Sequence, residues 1–479
     1  YNPATGKAIG ESNLHTLDDL SKMVAESRSA QIEWQKIPIK ERSKKILKIK
    51  NYLVDNIDNI SKTISDDNGK VRFDALATEI FPAILATKYY TKNAHKFLRT
   101  RKIPLSSIVL FNKKSFVRYE PFGVVGIISP WNYPFAIPYS EVIMALIAGN
   151  GVILKTASET QMVGLALRDA INSADLPQGL FQFINLPGRI AGEGLLKAGV
   201  DKLFFTGSVP IGKILMKQAA DTLTPVSLEL GGNDAMLVCE DADIDRAVNG
   251  AVWAGLSNAG QSCGGVERIY VHKNIYDSFL NTLKVKVESL RIGNPDDFET
   301  DVAVMTTEKQ VRTVKLHLDD ALNNGAVLFA ESQTSDSSNN ILTPKVLINV
   351  NHDMIMMRDE TFGPLLGVMK VDNMEEAIKL ANDSLLGLTG SVWSKNKKNA
   401  IEIAKRIKAG AITINDHLMS HGLPETAWGG FKESGIGRAH GEQGLLEMVQ
   451  AQYLVNDILL GVKKNIWWHP YSKELYEGL

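Results

Sequence analysis

The chain has 479 residues, a formal net charge of −1 and two cysteines. This length exceeds what one hydrophobic core usually covers, so we expect two or three domains. The nearly neutral charge offers nothing to a polyanion, and we expect no nucleic-acid partner. Two cysteines cannot build a disulfide framework, which favours a reducing compartment, and we expect a cytoplasmic protein.

The sequence predicts neither a signal sequence nor a membrane span. Residues 1–6 are polar and lack a basic segment followed by an apolar one. The chain begins without Met, so a leader before residue 1 stays open. The most apolar region, residues 121–154, has three prolines in its interior, and we therefore expect no membrane association.

The first hundred residues predict helices, and a hairpin follows them. Thr16 is a candidate N-cap for a helix that runs toward Gln35. Helical periodicity continues over residues 40–54, 57–65 and 72–98. Residues 107–111 and 115–119 are rich in strand formers and flank a polar turn, which predicts a hairpin that projects as an arm.

Residues 124–230 alternate between short apolar strands and helices. Strands are predicted at 124–129, 151–155, 180–185, 202–205 and 225–230, and helices at 136–148, 161–173, 190–198 and 209–220. This alternation indicates a parallel sheet covered on both faces, which binds ligands at the carboxyl ends of its strands. Polar or Gly-rich turns occupy those ends, at 129–132, 155–158, 206–208 and 229–232. We therefore expect a cofactor site along one rim.

A second α/β alternation follows Gly232. Helices are predicted at 244–256, 276–290, 310–323, 374–382 and 397–408, and strands at 268–272, 341–348, 365–371, 390–393 and 411–414. The low-complexity segment 331–340 predicts a surface loop. Near the end, residues 452–455 resemble a strand. Trp467 and Trp468 lack a basic amphipathic helix, which favours a packed chain end over a membrane anchor.

Cys263 lies among small and polar residues rather than in an apolar run. A cysteine confined to a core usually has Val, Leu and Ile as neighbours. Gly260, Gly264 and Gly265 let backbone amides approach whatever the sulfur attacks. A single cysteine is weak evidence alone, so an incidental buried thiol stays open beside a nucleophile.

Three other features also have two interpretations. The Gly-rich turn 205–212 opens a helix, which suits a pyrophosphate, but it lacks the Gly-x-Gly-x-x-Gly spacing and fits an ordinary turn as well. Glu229 ends an apolar strand as either a structural carboxylate or a general base. Asn132 is either a turn residue or a donor to an oxyanion.

Taken together, the ordered motifs resemble the NAD(P)-dependent aldehyde dehydrogenases. The motifs are Pro130-Trp131-Asn132-Tyr133-Pro134, Phe205-Thr206-Gly207-Ser208, Glu229-Leu230-Gly231-Gly232, Gly260-Gln261-Ser262-Cys263, Glu360-Thr361-Phe362-Gly363-Pro364, Asn415 and Gly429-Gly430-Phe431-Lys432-Glu433-Ser434-Gly435. The resemblance spans roughly residues 2–441. It implies an α/β fold with a Rossmann-like cofactor domain, an α/β catalytic domain and a small β oligomerisation element.

The resemblance also implies a mechanism. Cys263 attacks the aldehyde to give a thiohemiacetal, whose oxyanion is held by Asn132 and the Cys263 N–H. Hydride transfer to the nicotinamide leaves a thioester, which water activated by Glu229 hydrolyses to the carboxylic acid. A free thiol has a pKa of about 8.5, so the mechanism needs a lowered pKa or a base near pH 7.

Eight residues match the family's cofactor positions. Lys155 and Glu360 resemble the residues that hold the two riboses, Phe362 packs near the nicotinamide, and Ser208 meets the pyrophosphate. The other members of the expected cofactor site are Trp131, Ser158, Gly207 and Gly212. No metal is expected.

Two positions depart from the family pattern. Many NAD-preferring members have Glu where this chain has Ser158, although Glu159 follows. Ser158 would not repel a 2′-phosphate, so NAD and NADP both stay open. Ala439 stands where many members have Glu, so a water-positioning role for that carboxylate is absent.

The resemblance further implies a substrate tunnel, an arm and domain bounds. The tunnel residues are Tyr133, Ile137, Ser262, His417, Leu418, Met419 and Trp428, without an evident basic pair, which favours an uncharged aliphatic or aromatic aldehyde. Residues 102–119 and 444–460 resemble the oligomerisation arm of a homodimer or homotetramer. The expected cofactor domain comprises residues 1–101 and 120–231, the catalytic domain 232–443 and the C-terminal tail 461–479.

Two alternatives are kept. CoA rather than water would accept the acyl group in a CoA-acylating relative, but such relatives usually lack the Glu at position 229. A noncatalytic binding protein with this fold is the other alternative, against which the intact Cys263, Glu229 and Asn132 argue.

Overall fold

The computed structural model describes residues 1–335, 340–459, 461, 463, 465 and 467–478. Within these residues the chain forms an α/β fold with sheets of six, seven and three strands. The expected α/β architecture is therefore confirmed.

The six-stranded sheet has five parallel strands and one short antiparallel edge strand. Its spatial order is Gly435–Ile436, Val226–Glu229, Lys202–Thr206, Val124–Ile128, Gly151–Lys155 and Phe181–Phe183. The central strands are buried along their whole length because helices cover both faces. These helices include Leu17–Trp34, Ala136–Ala148, Gln161–Asn172, Gly188–Lys197 and Val209–Ala220. The predicted strand and helix order is correct here, apart from the edge strand at Gly435–Ile436, which was not predicted.

The N-terminal helices differ from prediction at one point. Helices Ile39–Asp55 and Ile57–Asn68 lie close to the predicted ranges. The single helix predicted over 72–98 is instead a short helix at Arg72–Ala75, a π-helical turn at Leu76–Ile80 and a helix at Phe81–Phe97. The Phe81 N–H donates to the carbonyl of Leu76, five residues back, as a π turn requires. Pro82, which has no N–H to donate, lies two residues after the end of this turn.

The seven-stranded sheet is parallel except for one antiparallel edge strand. Its spatial order is Val327–Glu331, Lys345–Ile348, Leu365–Val371, Val266–His272, Asp234–Val238, Thr389–Trp393 and Ala411–Ile414. Its main helices are Ile244–Leu256, Tyr276–Glu288, Glu308–Asn323, Met374–Asn382 and Lys397–Ala404. The sequence interpretation missed two strands: Asp234–Val238, whose brief apolar run begins after Gly-Gly, and Val327–Glu331, an edge strand with an exposed start.

The three-stranded sheet lies within the segments predicted to form the arm. It is antiparallel, with the order Arg101–Ile103, Lys113–Pro121 and Val449–Asp457. The predicted strand at 107–111 is wrong, because Ile108–Leu110 is a single 3₁₀ turn whose start is capped by Ser107 Oγ, 3.2 Å from the N–H of Val109.

The segment 331–340 and the chain end fit their predictions only in part. Ser332, expected on a surface loop, is buried, and its hydroxyl donates to the carbonyl of Val287 at 2.7 Å. Residues 336–339 of that loop lie outside the described residues. Trp467 and Trp468 are 49% and 55% exposed, so the expected packed end is wrong for the single chain. Among the described helices, none has both the length and the apolar character that crossing a bilayer requires.

Candidate active site

Cys263 follows a tightly constrained loop. Asn258, Ala259 and Gly260 have successive left-handed φ angles of 52°, 53° and 71°. A Cβ on Gly260 would lie 2.2 Å from the carbonyl oxygen of Gly363, so only glycine fits this close approach. Strain of this kind persists where the surrounding structure fixes the backbone. The loop therefore holds Cys263 against the segment that contains Glu360 and Phe362.

Asn132 reaches the same loop from the carboxyl end of the strand Val124–Ile128. Its side-chain Nδ2 donates to the carbonyl of Gln261 at 3.1 Å, two residues before Cys263. The Asn132 carbonyl accepts from Asn258 Nδ2 at 3.0 Å. An amide nitrogen carries two hydrogens, and one of them remains for a ligand oxygen. Sheet and loop are thus joined around the thiol.

Glu229 ends the strand Val226–Glu229, and its side chain is buried. Neither carboxylate oxygen has a hydrogen-bond partner among the described residues. Burial, and then the nearby carboxyl group of Glu141, raise the pKa of Glu229 well above its ordinary value. A carboxyl group without partners and with a raised pKa has the properties of a general base.

The Cys263 thiol is partly buried and surrounded by acidic groups. Burial raises its pKa, and Glu360, Asp234 and Glu229 add to this effect. The thiol is therefore protonated near neutral pH, and a base must remove its proton before it reacts.

One small cavity, of about 20 Å³, is lined by both Cys263 and Glu229. The other residues that line it are Ile137, Glu141, Thr206, Leu230, His421, Trp428, Ala439 and His440. The sequence motifs do not indicate four of these residues, which are Glu141, Thr206, His421 and His440. One feature of the sequence could have indicated Glu141: it is a lone acid in the largely apolar helix Ala136–Ala148, every residue of which is buried.

Of the two cavity histidines, His440 is buried and His421 is half-buried, and neither forms an ion pair among the described residues. Burial lowers the pKa of His421 to about 4 and that of His440 well below its ordinary value. Their rings lie 4.6 Å apart between centroids, and His421 packs edge-on against Trp428 at 4.9 Å. Both rings are therefore neutral walls of the cavity.

The predicted pyrophosphate turn leads into the helix Val209–Ala220. Ser208 is its exposed N-cap and makes no side-chain cap, so backbone N–H groups at this end are free for an anion. A Cβ on Gly212 would lie 2.7 Å from Leu230, and one on Gly207 would lie 2.5 Å from the ring of Phe205. Both glycines thus permit close packing, and the free helix end fits a pyrophosphate.

The predicted ribose residues lie at other strand ends. Lys155 is buried at the end of Gly151–Lys155, and burial lowers its pKa. Glu360 Oε1 accepts from the N–H of Gly232 at 3.0 Å, which brings it beside the end of the Glu229 strand. Ser158 is exposed.

Two aromatic residues of the predicted cofactor site contact each other. The rings of Trp131 and Phe362 pack edge to face, with centroids 5.5 Å apart. Phe362 has a φ of 53°, and its N–H donates to Glu267 Oε1 at 2.8 Å. The hydrogen bond to a buried carboxylate explains how this backbone conformation is held.

Two of the predicted tunnel residues, Ile137 and Trp428, line the cavity. The Trp428 ring packs against the backbone next to Cys263, since a Cβ on Gly264 would lie 2.7 Å from it. Tyr133 packs on the ammonium of Lys70 at 4.1 Å, and Ser262 is buried beside Cys263.

His417 is placed differently. Its Nδ1 lies 2.8 Å from Ser391 Oγ, and its Nε2 lies 3.0 Å from the carbonyl of Gly264. Both ring nitrogens are thus engaged within the protein, and burial lowers the pKa of His417 to about 4. This neutral ring holds the backbone directly after Cys263. Across the described part of the chain, no group of three His, Cys, Asp or Glu side chains is arranged to hold a metal.

Comparison with known proteins places this geometry in a family. The model of the aldehyde dehydrogenase family matches residues 1–454. The chain is 39% identical over 478 residues to the 4,4'-diapolycopene aldehyde oxidase of Methylomonas sp, covering 100% of this chain and 89% of that protein.

Solved structures agree. One is betaine aldehyde dehydrogenase from Staphylococcus aureus in complex with NAD+, with a TM-score of 0.91, 27% identity and coverage of 98% of this chain and 93% of that one. Another is an E. coli NADP dependent enzyme, with a TM-score of 0.91, 29% identity and coverage of 95% and 94%. The chain therefore belongs to the aldehyde dehydrogenase family and is an NAD(P)-dependent oxidoreductase that acts on aldehydes.

Proposed function

We propose that the chain oxidises an aldehyde to a carboxylic acid, with Cys263 as nucleophile, Asn132 as oxyanion donor and Glu229 as base. The observation that carries this proposal is the cavity shared by the Cys263 thiol and the unpartnered carboxyl group of Glu229. Asn132 is anchored to the same loop and keeps one amide hydrogen free.

In the first half of the reaction, Glu229 takes the proton of the Cys263 thiol, directly or through water. The sulfur then bonds to the aldehyde carbon, and the oxyanion of the thiohemiacetal accepts from Asn132 Nδ2 and the Cys263 N–H. NAD(P), when bound, supplies the hydride acceptor that converts this adduct to a thioester. The cofactor would be held by the residues of the predicted cofactor site, which are Trp131, Lys155, Ser158, Gly207, Ser208, Gly212, Glu360 and Phe362.

Before the second half, Glu229 releases the thiol proton to solvent and is again a carboxylate. It then takes a proton from water as the water oxygen bonds to the acyl carbon. The C–S bond breaks with its electron pair on sulfur, which releases the carboxylic acid. The presence of Glu229 in the cavity favours water over CoA as the acyl acceptor.

We propose an uncharged aldehyde as the substrate. The cavity lining contains no Lys or Arg, and its two histidines are neutral, so a substrate carboxylate would find no cationic partner there. Ile137, Leu230 and Trp428 provide apolar walls. NAD and NADP remain alternatives, since exposed Ser158 offers no carboxylate to repel a 2′-phosphate and exposed Glu159 follows it.

The decisive experiment is a steady-state panel of aliphatic, aromatic and carboxylate-bearing aldehydes with each cofactor. We expect NAD(P)H and free acid from uncharged aldehydes, no acyl-CoA when CoA is added, and loss of activity in Cys263→Ala. Cys239→Ala is the matched control, because Cys239 is buried in the core of the second sheet. Acyl-CoA as the main product, or an active Cys263→Ala variant, would overturn the proposal.

We also propose a cytoplasmic homodimer or homotetramer that assembles through the arm, with the domain bounds given by the sequence. Ile108, Tyr453 and Val455 on the arm are 86%, 66% and 67% exposed, and apolar surface of this kind commonly marks a subunit interface. Light scattering on the purified protein tests this, and a monomer would refute it.

A further inference from the structure

The active-site cavity contains a second buried carboxyl group, that of Glu141. It lies within the helix Ala136–Ala148, every residue of which is buried. One of its oxygens, Oε1, lies 3.5 Å from the hydroxyl of Thr206, and the other has no hydrogen-bond partner among the described residues. A buried carboxyl group this poorly solvated and without a cation nearby is costly to ionise.

Strand register brings Glu141 close to Glu229. Thr206 and Glu229 are direct neighbours on adjacent parallel strands, which lie about 4.8 Å apart in such sheets. Thr206 is also the residue whose hydroxyl faces Glu141. Glu141 and Glu229 line the same cavity, and together they have three oxygens without a partner. Two carboxyl groups buried in one cavity cannot both carry a charge at low cost.

We propose that Glu141 and Glu229 act as a pair that shares one proton, with Glu141 as the proton-sharing partner of the base. This inference rests on the proposed role of Glu229. Burial raises the pKa of Glu141 to about 8, and the Glu141 carboxyl raises the pKa of Glu229 further.

The other titratable and charged groups around the pair do not supply the positive charge that would let both carboxyl groups ionise. His421 and His440 are neutral, and the raised pKa of Cys263 keeps its thiol protonated. Arg438 lowers the pKa of Glu229, but by less than burial and Glu141 raise it. Its guanidinium donates to the carbonyl of Gly437 at 2.6 Å rather than to the Glu229 carboxyl group. Glu447 is held by Lys202 at 2.9 Å.

The pair gives the hydrolytic step a place for its proton. In the active form the pair holds one proton and one negative charge. The thiol proton taken during acylation has left to solvent before hydrolysis begins. The pair then gains its second proton, at Glu229, from water as the water oxygen bonds to the acyl carbon and the C–S bond breaks with its electrons on sulfur. One of the two protons then passes to the Cys263 thiolate, which restores the thiol and the singly charged pair. Water and thioester are thereby converted to carboxylic acid and thiol without loss of charge balance.

Infrared difference spectroscopy of the purified enzyme tests the pair without using activity. The wild type minus Glu141→Gln spectrum at neutral pH should contain the band of a protonated carboxyl group, while other buried acids cancel. The control Glu193→Gln removes an exposed carboxylate that pairs with Lys197 and should show no such band. A difference spectrum without the protonated band means that Glu141 is ionised, and it would overturn the proposal.

Decay of the acyl-enzyme, followed by intact-protein mass spectrometry, links the pair to hydrolysis. Glu141→Gln should hydrolyse the acyl-enzyme at least about tenfold more slowly. Unchanged decay at every pH contradicts a role for Glu141, even if Cys263→Ala is inactive and the proposed function stands. If Glu141→Gln does not fold, titrating the wild-type infrared band decides, since a sharing pair loses its two protons in separate steps.

Discussion

Lys70 Nζ lies 2.6 Å from Glu79 Oε1 in an ion pair whose two side chains are completely buried. Lys70 also donates to the carbonyl of Asn132 at 2.8 Å. Glu79 Oε2 accepts the N–H groups of Phe135 and Ala136 at the start of the next helix, at 2.7 and 3.1 Å. The π-helical turn that contains Glu79 thus fixes the backbone on both sides of Tyr133, and with it the predicted oxyanion donor.

Replacing Glu79 with Gln leaves a buried ammonium without its counter-charge. Breaking a buried pair in this way typically costs about 3–5 kcal/mol, because the remaining charge is not solvated. We expect this loss in the free energy of unfolding from urea titration, together with slower acylation. Glu33→Gln, which removes an exposed pair with Lys36, should change neither quantity. Equal stability of the two variants would show that the buried pair does not fix this turn.

Asn132→Ala should slow acylation by about 10²–10³, because a donor to the developing oxyanion is lost. Single-turnover NAD(P)H formation measures this step. Asn324→Ala, on the exposed end of the helix Glu308–Asn323, is the control and should retain the wild-type rate. A fall of less than threefold for Asn132→Ala would argue that the oxyanion is held elsewhere.

Alkylation of Cys263 in the enzyme without cofactor should be slow at neutral pH and should still rise above pH 8. Burial raises the pKa of this thiol above its ordinary value, so the reactive thiolate is scarce at neutral pH and increases as pH rises. The iodoacetamide reaction rate in a Cys239→Ala background reports Cys263 alone. A plateau reached below pH 8 would mean that a nearby group lowers this pKa instead.

Gly260→Ala should disrupt the cysteine loop more than Gly199→Ala disrupts its own turn. Both glycines have positive φ, so each alanine carries about 1–2 kcal/mol of backbone strain. At Gly199 nothing lies within 4 Å of the added Cβ, whereas at Gly260 it meets backbone atoms of Gly363. Thermal unfolding and acylation rates should therefore both be worse for Gly260→Ala. Equal losses in the two variants would show that backbone strain, and not the contact with Gly363, accounts for the effect of Gly260→Ala.

Ser158→Glu should raise the KM for NADP by at least about tenfold and leave that for NAD nearly unchanged, since a carboxylate repels a 2′-phosphate. Ser158 is exposed, so the substitution should not affect folding. Initial rates with each cofactor measure the effect. If the carboxylate of Glu159 already lies where the 2′-phosphate would bind, the NADP activity of the unmodified enzyme is low, and Ser158→Glu changes it little.

Much of the fold was predictable because strand and helix periodicities differ clearly. The helices Ala136–Ala148, Val209–Ala220 and Ile244–Leu256 begin and end where the sequence predicted. The strand at 107–111 was wrong because strand propensity alone does not show that Ser107 caps a 3₁₀ turn. The π-helical turn at Leu76–Ile80 was missed because its ends keep helical periodicity.

Motifs predicted part of the candidate site, and tertiary packing accounts for the residues that the motifs did not indicate. Cys263 and Glu229 share a cavity as the motifs indicated. Glu141 was missed because one acid in an apolar helix has no local signature, and its meaning depends on strand register across the sheet. The hydrogen bonds of His417 to Ser391 and Gly264 also come from packing rather than spacing.

The short strand Gly435–Ile436 completes the first sheet beside Val226–Glu229, although the whole second sheet lies between them in the chain. As the protein is synthesised, the strand that ends in Glu229 leaves the ribosome long before its edge partner exists. Until then its outer row of amides and carbonyls lacks this cover, and exposed edges of this kind recruit foreign strands. A fragment truncated before residue 435 would keep that defect permanently, so the two halves of this enzyme are poor candidates for separate production.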